Sequence, residues 1–243
     1  LTAEPASNVV ISVTSGDTAE ATVSASSLTF TTGNWDSAQT ITVTGVNDDI
    51  IDGSQDTTIT MAVVDGSSDN NFDPLANQTV TAATADNDSA GFTVTQSGGS
   101  TAVSESGSTD TFTVVLTAEP ASDVVISVTS GDTAEATVSA SSLTFTDSNW
   151  DSAQTITVTG VNDDIIDGSQ DTTITMAVVD GSSDNNFDPL ANQTVTAATA
   201  DNDSAGFTVT QSGGSTQVNE SGSTDTFTVV LTAEPASNVV ICV

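Results

Sequence analysis

Short runs in which Val, Ile, Leu or Phe alternates with Thr or Ser recur along the whole chain. Between residues 91 and 204 we find seven, at 92–95, 111–114, 124–128, 143–145, 155–159, 173–178 and 193–196. Alternation with a period of two is typical of a β-strand that buries one face. Clusters of Gly, Ser and Asp separate the runs as turns. The pattern predicts an all-β, immunoglobulin-like antiparallel sandwich of about seven strands.

The apolar positions of these runs also predict the core. Side chains on the same face of each strand point inward together, and Thr takes the outer face. The expected core is Phe92, Phe112, Leu116, Ile126, Leu143, Phe145, Ile156, Val158, Ile174, Met176 and Val178. Trp150 is expected to cover one end of the sandwich.

The chain is an internal repeat. The segment Leu-Thr-Ala-Glu-Pro at residues 1–5 recurs at 116–120 and 231–235, so the period is 115 residues (116 − 1). Residues 1–115 and 116–230 differ at only five positions. A unit of this length matches one β-sandwich rather than one solenoid repeat. The near identity indicates duplication within a longer array.

The phase of the repeat predicts where domains begin and end. If the stretch 201–203 closes a domain and Gly206 opens the next, residues 91–204 form one complete β-sandwich repeat. Residues 1–90 then form a repeat that lacks its first strands, and residues 205–243 supply the first strands of a third. Two interpretations stay open. The ends are an arbitrary cut through an array, or the tail of one chain completes the next in a strand-complementation polymer.

Charge narrows the possible partners. The chain has 33 Asp and Glu residues, no Lys, Arg or His, and a formal charge of −33. Nucleic acids and anionic lipid surfaces are bound through Lys and Arg, so both are excluded as partners. No apolar run is long enough to span a membrane. Cys242 is the only cysteine, which excludes a disulfide framework and a cysteine-based zinc site.

Carboxylates are concentrated in particular loops. Asp163, Asp164 and Asp167 fall within five residues after a strand. Two carboxylates about 5 Å apart repel by roughly 3 kcal/mol at an effective dielectric of about 20, and a domain has only about 5–15 kcal/mol of net stability. Such a cluster needs either full exposure to water or a bound cation. Calcium takes six to eight oxygens from several segments, which loops at one end of a sandwich can deliver.

The order of the acidic motifs resembles that of Calx-beta domains, over the whole repeat. The motifs are Val103-Ser104-Glu105-Ser106-Gly107, Ser130-Gly131-Asp132-Thr133-Ala134, Val161-Asn162-Asp163-Asp164 and Ala200-Asp201-Asn202-Asp203. Such domains occur in sodium–calcium exchangers and in large bacterial surface proteins and adhesins. This sequence departs from the family at two positions. The family tends to carry Glu at the position of Asp167, and its turn before Thr-Ala usually reads Asp-Gly, whereas here it reads Gly131-Asp132.

The resemblance implies that acidic side chains meet at one end of the sandwich and bind calcium. The implied ligands in the complete repeat are Glu105, Asp132, Asp163, Asp164, Asp167, Asp201 and Asp203. Their counterparts in the other copies are Asp17, Asp48, Asp49, Asp52, Asp86, Asp88 and Glu220. Asp201 and Asp203 lie on the linker itself, so an ion there would stiffen the joint between domains. Asp180, Asp184 and Asp188 share another loop. Their spacing does not match an EF-hand, so we interpret this loop as solvated.

The expected function is therefore structural. The sequence predicts a secreted, calcium-stabilised repeat that serves as an extender or filament segment of a bacterial surface adhesin, in contact with adjacent repeats or identical chains. An enzyme is not expected, because the chain has no His, Lys, Arg or Tyr for acid–base work or anion binding. One alternative is a self-assembling fibre subunit joined by strand complementation. Another is a glycan- or ice-binding module that uses Thr-rich faces such as Thr155, Thr157 and Thr159.

Overall fold

Nearly all regular structure in the chain is β-strand, as the alternation of apolar residues with Thr predicts. The computed structural model describes residues 1–242. The chain divides into two units, Leu1–Ser89 and the part that begins at Ala90. Among the described residues the only helices are three short 3-10 turns, and none is long and apolar enough to cross a membrane. The all-β class is confirmed.

The first unit contains six strands. They are β1 (Val9–Ser15), β2 (Ala21–Val23), β3 (Ser27–Phe30), β4 (Val43–Gly45), β5 (Gln55–Val63) and β6 (Gln78–Thr84). One sheet has the order β3-β1-β5-β6, and β2 and β4 form a separate pair. All of these neighbours are antiparallel.

The second unit contains a complete sandwich of nine strands. They are β7 (Phe92–Gln96), β8 (Thr101–Ser104), β9 (Thr109–Leu116), β10 (Val124–Ser130), β11 (Ala136–Val138), β12 (Ser142–Phe145), β13 (Gln154–Gly160), β14 (Gln170–Val178) and β15 (Gln193–Ala200). The two sheets have the orders β12-β10-β14-β15-β8 and β11-β13-β9-β7. Only β15 and β8 pair in parallel. This is the predicted immunoglobulin-like arrangement.

The sandwich has two strands more than the seven expected. The additional strands are β8 and β11, with four and three residues. Each of them contains a single large apolar residue, Val103 or Val138, so it shows no alternation that the sequence could reveal, whereas the equally short β12 has both Leu143 and Phe145. All seven expected runs are strands.

A glycine turn carries the chain from one sheet to the other. Gly98 and Gly99 have φ of +64° and +84°, which residues other than glycine rarely adopt. The turn connects β7 in the four-stranded sheet to β8 at the edge of the five-stranded sheet. It thereby places Glu105, the residue after β8, beside the end of β15.

The predicted core is correct at ten of its eleven positions. Val178 is the exception, because it is half-buried at the end of β14. Phe187 is fully buried although it lies in a loop. Trp150 is half-buried, and its backbone carbonyl accepts a hydrogen bond from the N–H of Leu116 at 3.1 Å.

The last part of the second unit forms a separate hairpin. Its strands are β16 (Phe207–Gln211) and β17 (Phe227–Leu231), which pair only with each other. Their register repeats that of β7 and β9, with Phe207 opposite Leu231 as Phe92 is opposite Leu116. The expected repeat boundaries at residues 90 and 204 stay a prediction.

Candidate metal centre

Acidic side chains of the second unit collect where β8, β10, β13 and β15 end. The parallel pairing of β8 with β15 brings their last residues together. The turn after β10 and the loop after β13 reach the same end of the sandwich. The N–H of Gly131 donates to the carbonyl of Thr173, near the start of β14, and the N–H of Gly160 donates to the carbonyl of Ser108, just before β9. The carboxylates that follow these strands are Glu105, Asp132, Glu135, Asp163, Asp164, Asp167, Asp201 and Asp203.

Two groups of three carboxylates form within this end. Glu105, Asp163 and Asp203 bring one oxygen each within 4.8 Å of the others, and so do Glu135, Asp163 and Asp167. Asp163 belongs to both groups. Oxygens on opposite sides of a calcium ion are about 4.6–5.2 Å apart, given calcium–oxygen distances of about 2.3–2.6 Å. Each group is therefore compact enough for one such cation to contact an oxygen of all three carboxylates.

Glu105 is fixed in place by the backbone around it. Its side chain is only 1% exposed, and its Oε2 accepts a hydrogen bond from the N–H of Asn202 at 3.1 Å. The Glu105 N–H in turn donates to the carbonyl of Ala200 at 3.1 Å. The side chain of Asn202 donates to Asn162 Oδ1 at 2.9 Å. Asn202 thus joins Glu105 to the loop that carries Asp163.

A glycine allows these two segments to approach each other. A Cβ atom on Gly160, the last residue of β13, would collide with the backbone carbonyl of Ser104 at the end of β8. Any side chain there would push the two strand ends apart. Gly160 therefore helps to bring Asp163 within reach of Glu105.

Glu135 is a member of the site that the sequence did not predict. Its backbone carbonyl accepts hydrogen bonds from the N–H of Val161 at 2.8 Å and the hydroxyl of Thr199 at 3.3 Å. Its Oε2 is buried and has no hydrogen-bond donor. The available signal was a Glu placed three residues after Asp132 in the same turn, since a Glu side chain reaches further into the site than an Asp.

Three expected ligands lie outside both groups. Asp132 Oδ1 caps its own turn by accepting the N–H of Ala134 at 2.9 Å. Asp201 accepts the N–H of Gly168 at 2.9 Å and that of Asp203 at 2.6 Å. Asp164 contributes its backbone carbonyl, which accepts the N–H of Glu234 at 2.6 Å. These residues shape the loops around the two groups.

Three members of the two groups, Glu105, Glu135 and Asp203, have a raised pKa. Burial raises the pKa of Glu135, and the charges of Asp167 and Asp163 raise it further. Burial and the charge of Asp164 raise the pKa of Asp203. The N–H of Asn202 lowers the pKa of Glu105, but burial and neighbouring carboxylates outweigh it, so the net shift is upward. These three carboxyl groups are more costly to ionise in the folded protein than in water.

Asp201 shows the opposite shift. The backbone N–H groups of Asp203 and Gly168 hold its pKa below the ordinary value of an aspartate. A carboxylate that accepts backbone hydrogen bonds is stabilised in its charged form. Asp201 is therefore already compensated by the protein, whereas Glu135 and Asp203 are not.

The first unit carries a related but looser set of carboxylates. A cavity of about 20 Å³, with room for one water-sized particle, is lined by five of them: Glu20, Asp48, Asp52, Asp86 and Asp88. Burial and neighbouring carboxylates raise the pKa of Glu20 and of Asp88. Within residues 1–89, however, no three of these groups come as close as those in the second unit.

The other expected residues of the incomplete copies lie outside this cavity. Asp17 caps its turn through the N–H of Ala19 at 2.9 Å. Asp49 does not line the cavity, and its charge helps to raise the pKa of Asp88. Glu220, the repeat counterpart of Glu105, is exposed.

The donor set of the second unit fits a hard cation. All its ligands are carboxylates, and calcium and magnesium prefer oxygen, whereas zinc sites in proteins are usually built from Cys and His. The Oε2 of Glu135 and the Oδ2 of Asp203 are buried without a hydrogen-bond partner. A buried charged oxygen without a partner is strongly unfavourable, and a cation bound in each group would compensate the one that the group contains.

Comparisons with known proteins find weak structural similarities only. No family model and no curated protein matches the chain. The apo-form Calx CBD1 domain is 14% identical with a TM-score of 0.34, over 46% of this chain and 98% of that domain. Domains 4 and 5 of the S-layer protein SbsC are 14% identical with a TM-score of 0.33. The match covers 78% of this chain and 70% of that structure. SSP-19 of Caenorhabditis elegans, a member of the MSP-domain-protein-like family, is 15% identical with a TM-score of 0.30. The match covers 44% of this chain and 97% of SSP-19.

Proposed function

We propose that this chain is a calcium-stabilised structural repeat of an extracellular surface protein, without catalytic activity of its own. One observation carries the proposal. Two groups of three carboxylates share Asp163 at one end of a complete β-sandwich, and two of their oxygens are buried without hydrogen-bond donors. Calcium is favoured over magnesium because magnesium usually keeps several waters and is rarely held by carboxylates alone.

The position of the site supports a role in stiffening the chain. The loop that carries Asp163 also holds the segment that follows the sandwich. Asp164 accepts the N–H of Glu234, and Ile165 forms a parallel bridge with Glu234. An ion that fixes this loop would therefore also fix the attachment of the next repeat. A polymer of such repeats would act as an extender or filament segment of an adhesin.

The composition supports a structural rather than a chemical role. The chain has no Lys, Arg, His or Tyr, so the side chains that most often transfer protons or clamp anions are missing. The high negative charge favours solubility and keeps neighbouring arrays apart. Adhesion, secretion and the absence of catalysis are part of the proposal.

Calorimetry of the whole chain tests the proposal. In calcium the melting temperature should be higher by tens of degrees than in EDTA, because a ligand that binds only the folded state stabilises it by a free energy that grows with the logarithm of ligand concentration over Kd. Magnesium at the same concentration serves as the control ion. Equal melting temperatures in calcium and EDTA would contradict the proposal.

A further inference from the structure

An Asp-Pro peptide bond lies in the loop between β14 and β15. Asp188 precedes Pro189 there, and Asp73 precedes Pro74 at the same position of the first unit. The sequence contains no other Asp-Pro bond. The loop lies at the opposite end of the sandwich from the metal centre, because that centre lies where β15 ends. The proposed calcium function therefore makes no use of it.

The carboxyl group of Asp188 is buried without a compensating donor. Its Oδ1 is inaccessible to solvent and has no N–H or hydroxyl group to bond with. The Oδ1 of Asp73 is buried in the same way. Asp184, in the same loop as Asp188, accepts three backbone N–H groups instead. Two copies of the loop thus place an uncompensated carboxyl oxygen directly before a proline.

Asp180 is the hydrogen-bonding neighbour of Asp188. The two side chains lie within hydrogen-bond reach of each other, and two carboxyl groups can form such a bond only when one carries a proton. Burial raises the pKa of Asp188, and the charge and hydrogen bond of Asp180 raise it further. The other carboxylates beside the pair are Asp184, which the backbone compensates, and the exposed Asp123. The pair therefore holds one proton at a higher pH than two separate aspartates would.

A tight turn presents the peptide bond. The N–H of Leu190 donates to the carbonyl of Phe187 at 3.1 Å, so Asp188 and Pro189 are the two central residues of a β-turn. The corresponding bond of the first unit has the same length. Phe187 is fully buried and holds the turn against the core. The peptide between the central residues takes no part in the hydrogen bond of the turn, which leaves its carbonyl carbon available for attack.

We propose that the Asp188–Pro189 bond is a self-cleavage site, with the Asp188 carboxylate as nucleophile and Asp180 as proton donor. The Asp73–Pro74 bond reacts by the same route, with Asp65 in the place of Asp180. Each bond breaks once and no external substrate is turned over. The reaction is therefore compatible with a structural repeat and would divide the covalent chain in mild acid.

The reaction needs only the two carboxyl groups and one water molecule. The Asp188 carboxylate attacks its own main-chain carbonyl carbon, and the new C–O bond closes a five-membered cyclic anhydride. The bond from that carbon to the Pro189 nitrogen breaks. The proton of Asp180 passes to this nitrogen, which leaves as a secondary amine. Water then opens the anhydride, so Asp188 ends with a side-chain carboxyl group and a new C-terminal one.

Proline and aspartate are the residue types that this reaction requires. The Pro189 nitrogen carries no N–H, and a tertiary amide nitrogen accepts a proton more readily than a secondary one. The Glu119–Pro120 bond is a comparison within the same chain. A Glu side chain would have to close a six-membered ring, which forms less readily. The Glu119–Pro120 bond should therefore stay intact under conditions that cleave the Asp-Pro bonds.

Mass spectrometry of the whole chain after incubation in mild acid tests the proposal. Fragments 1–73, 74–188 and 189–243 should appear once the sample is denatured. The folded chain should cleave about 100-fold faster than the chain unfolded in urea at the same pH, because a positioned proton donor contributes at least that much. The rate should fall on both sides of its optimum pH. Loss of the shared proton removes the acid, and a second proton removes the nucleophile.

Asp180→Asn removes the proton donor and keeps a side chain that can hydrogen-bond to Asp188. Cleavage of the second-unit bond should slow about 100-fold, while cleavage of the first-unit bond continues as an internal reference. Asp65→Asn should have the reverse effect. Pro189→Ala should leave the second-unit bond intact, because the amide becomes secondary. Circular dichroism at the same pH confirms that each variant is folded.

Several outcomes would overturn the proposal. Equal rates in the folded and the urea-unfolded chain would show ordinary acid hydrolysis of Asp-Pro bonds. A folded Asp180→Asn variant that cleaves at the wild-type rate would remove the proton donor from the mechanism. A wild-type chain that stays intact, or a rate that only rises as pH falls, would also contradict it. Calcium binding is measured separately by calorimetry at neutral pH, so the proposed function stands or falls independently of these results.

Discussion

Glu105 Oε2 accepts a hydrogen bond from the backbone N–H of Asn202 at 3.1 Å, across 97 residues of sequence. The bond ties the end of β8 to the segment that follows β15. The same carboxylate lies in a group with Asp163 and Asp203. Glu105 therefore has two separable roles, one as a hydrogen-bond acceptor and one as a negative charge.

Glu105→Gln should separate these roles. The Gln oxygen can still accept the Asn202 N–H, while the charge disappears. In EDTA the variant should melt at a higher temperature than the wild type, because repulsion within the group is lower. In calcium it should melt at a lower temperature, because a ligand is lost. Calorimetry in both buffers measures the crossover. Asp147→Asn, an exposed carboxylate beyond the other end of the strands, is the control, and a shift of the same sign in both buffers would contradict the assignment.

Asp163 belongs to both groups, whereas Asp167 and Asp203 belong to one group each. Substitution of each aspartate should therefore remove a different number of bound ions. Asp163→Asn should lose both ions of the second unit. Asp167→Asn should lose only the ion held with Glu135, and Asp203→Asn only the ion held with Glu105. Native mass spectrometry in calcium counts the ions on each variant. An Asp163→Asn variant with the wild-type count would show that the groups do not bind metal as proposed.

The pH dependence should reverse when calcium is added. The pKa of Glu105, Glu135 and Asp203 is raised in the folded protein. A raised carboxyl pKa favours folding fully below the unfolded value of about 4, and this contribution is lost as pH rises through the folded-state pKa. In EDTA, acidification from neutral pH should therefore raise the melting temperature. In calcium it should lower it, because protons compete with the ion.

Acidification of the metal-free protein should raise the melting temperature only down to a certain pH, because other carboxylates have a lowered pKa. Backbone hydrogen bonds lower the pKa of Asp201 and Asp110. Their contribution to stability is present above the unfolded value and is lost as pH falls through the lowered folded-state pKa. The metal-free protein should thus have a stability maximum in mild acid. A melting temperature in EDTA that only falls from neutral pH downward would contradict the raised shifts.

The fold was predictable because its information lies in local alternation. Inward Val, Ile and Phe with outward Thr identified every long strand of the second unit and nearly all of its core. Strands β8 and β11 were not predicted because each contains a single large apolar residue and therefore shows no alternation, unlike the equally short β12. The burial of Phe187 was not predicted because Phe187 lies in a loop, where burial depends on the surrounding strands rather than on the spacing of apolar residues. Val178 was expected inside because the pattern does not show where β14 leaves the core.

The acidic end was predictable only as a region. Clusters of Asp after predicted strands indicated which loops meet. They did not show that Asp132 and Asp201 use their oxygens on backbone N–H groups while Glu135 faces the site. That choice depends on turn geometry and on the close approach of Gly160 to Ser104. The interpretation of the 180–188 loop as solvated was wrong for Asp184, which is buried.

Phe187→Ala should be among the most destabilising substitutions in the second unit. Truncating a fully buried Phe costs about 3–5 kcal/mol through lost burial and the cavity left behind. Its counterpart Phe72 is half-buried, so Phe72→Ala should cost less in the first unit. Each unit has one Trp, at positions 35 and 150. Guanidinium unfolding followed by fluorescence in Trp35→Phe and Trp150→Phe backgrounds measures the two units separately, and equal losses would contradict the difference in packing.

Asp184 should stabilise the sandwich without any metal. It is 6% exposed, its Oδ2 accepts the N–H groups of Ala121 at 2.7 Å and Ser122 at 3.2 Å, and its Oδ1 accepts that of Asn186 at 2.9 Å. Asp184→Ala removes the carboxylate that accepts these three N–H groups, and hydrogen bonds to a charged group are worth about 1.5–3 kcal/mol. The free energy of unfolding should fall by at least about 2 kcal/mol, equally in calcium and EDTA. Asp147→Ala, which removes an exposed carboxylate, should change it little. A loss that appears only in calcium would instead place Asp184 in a metal site.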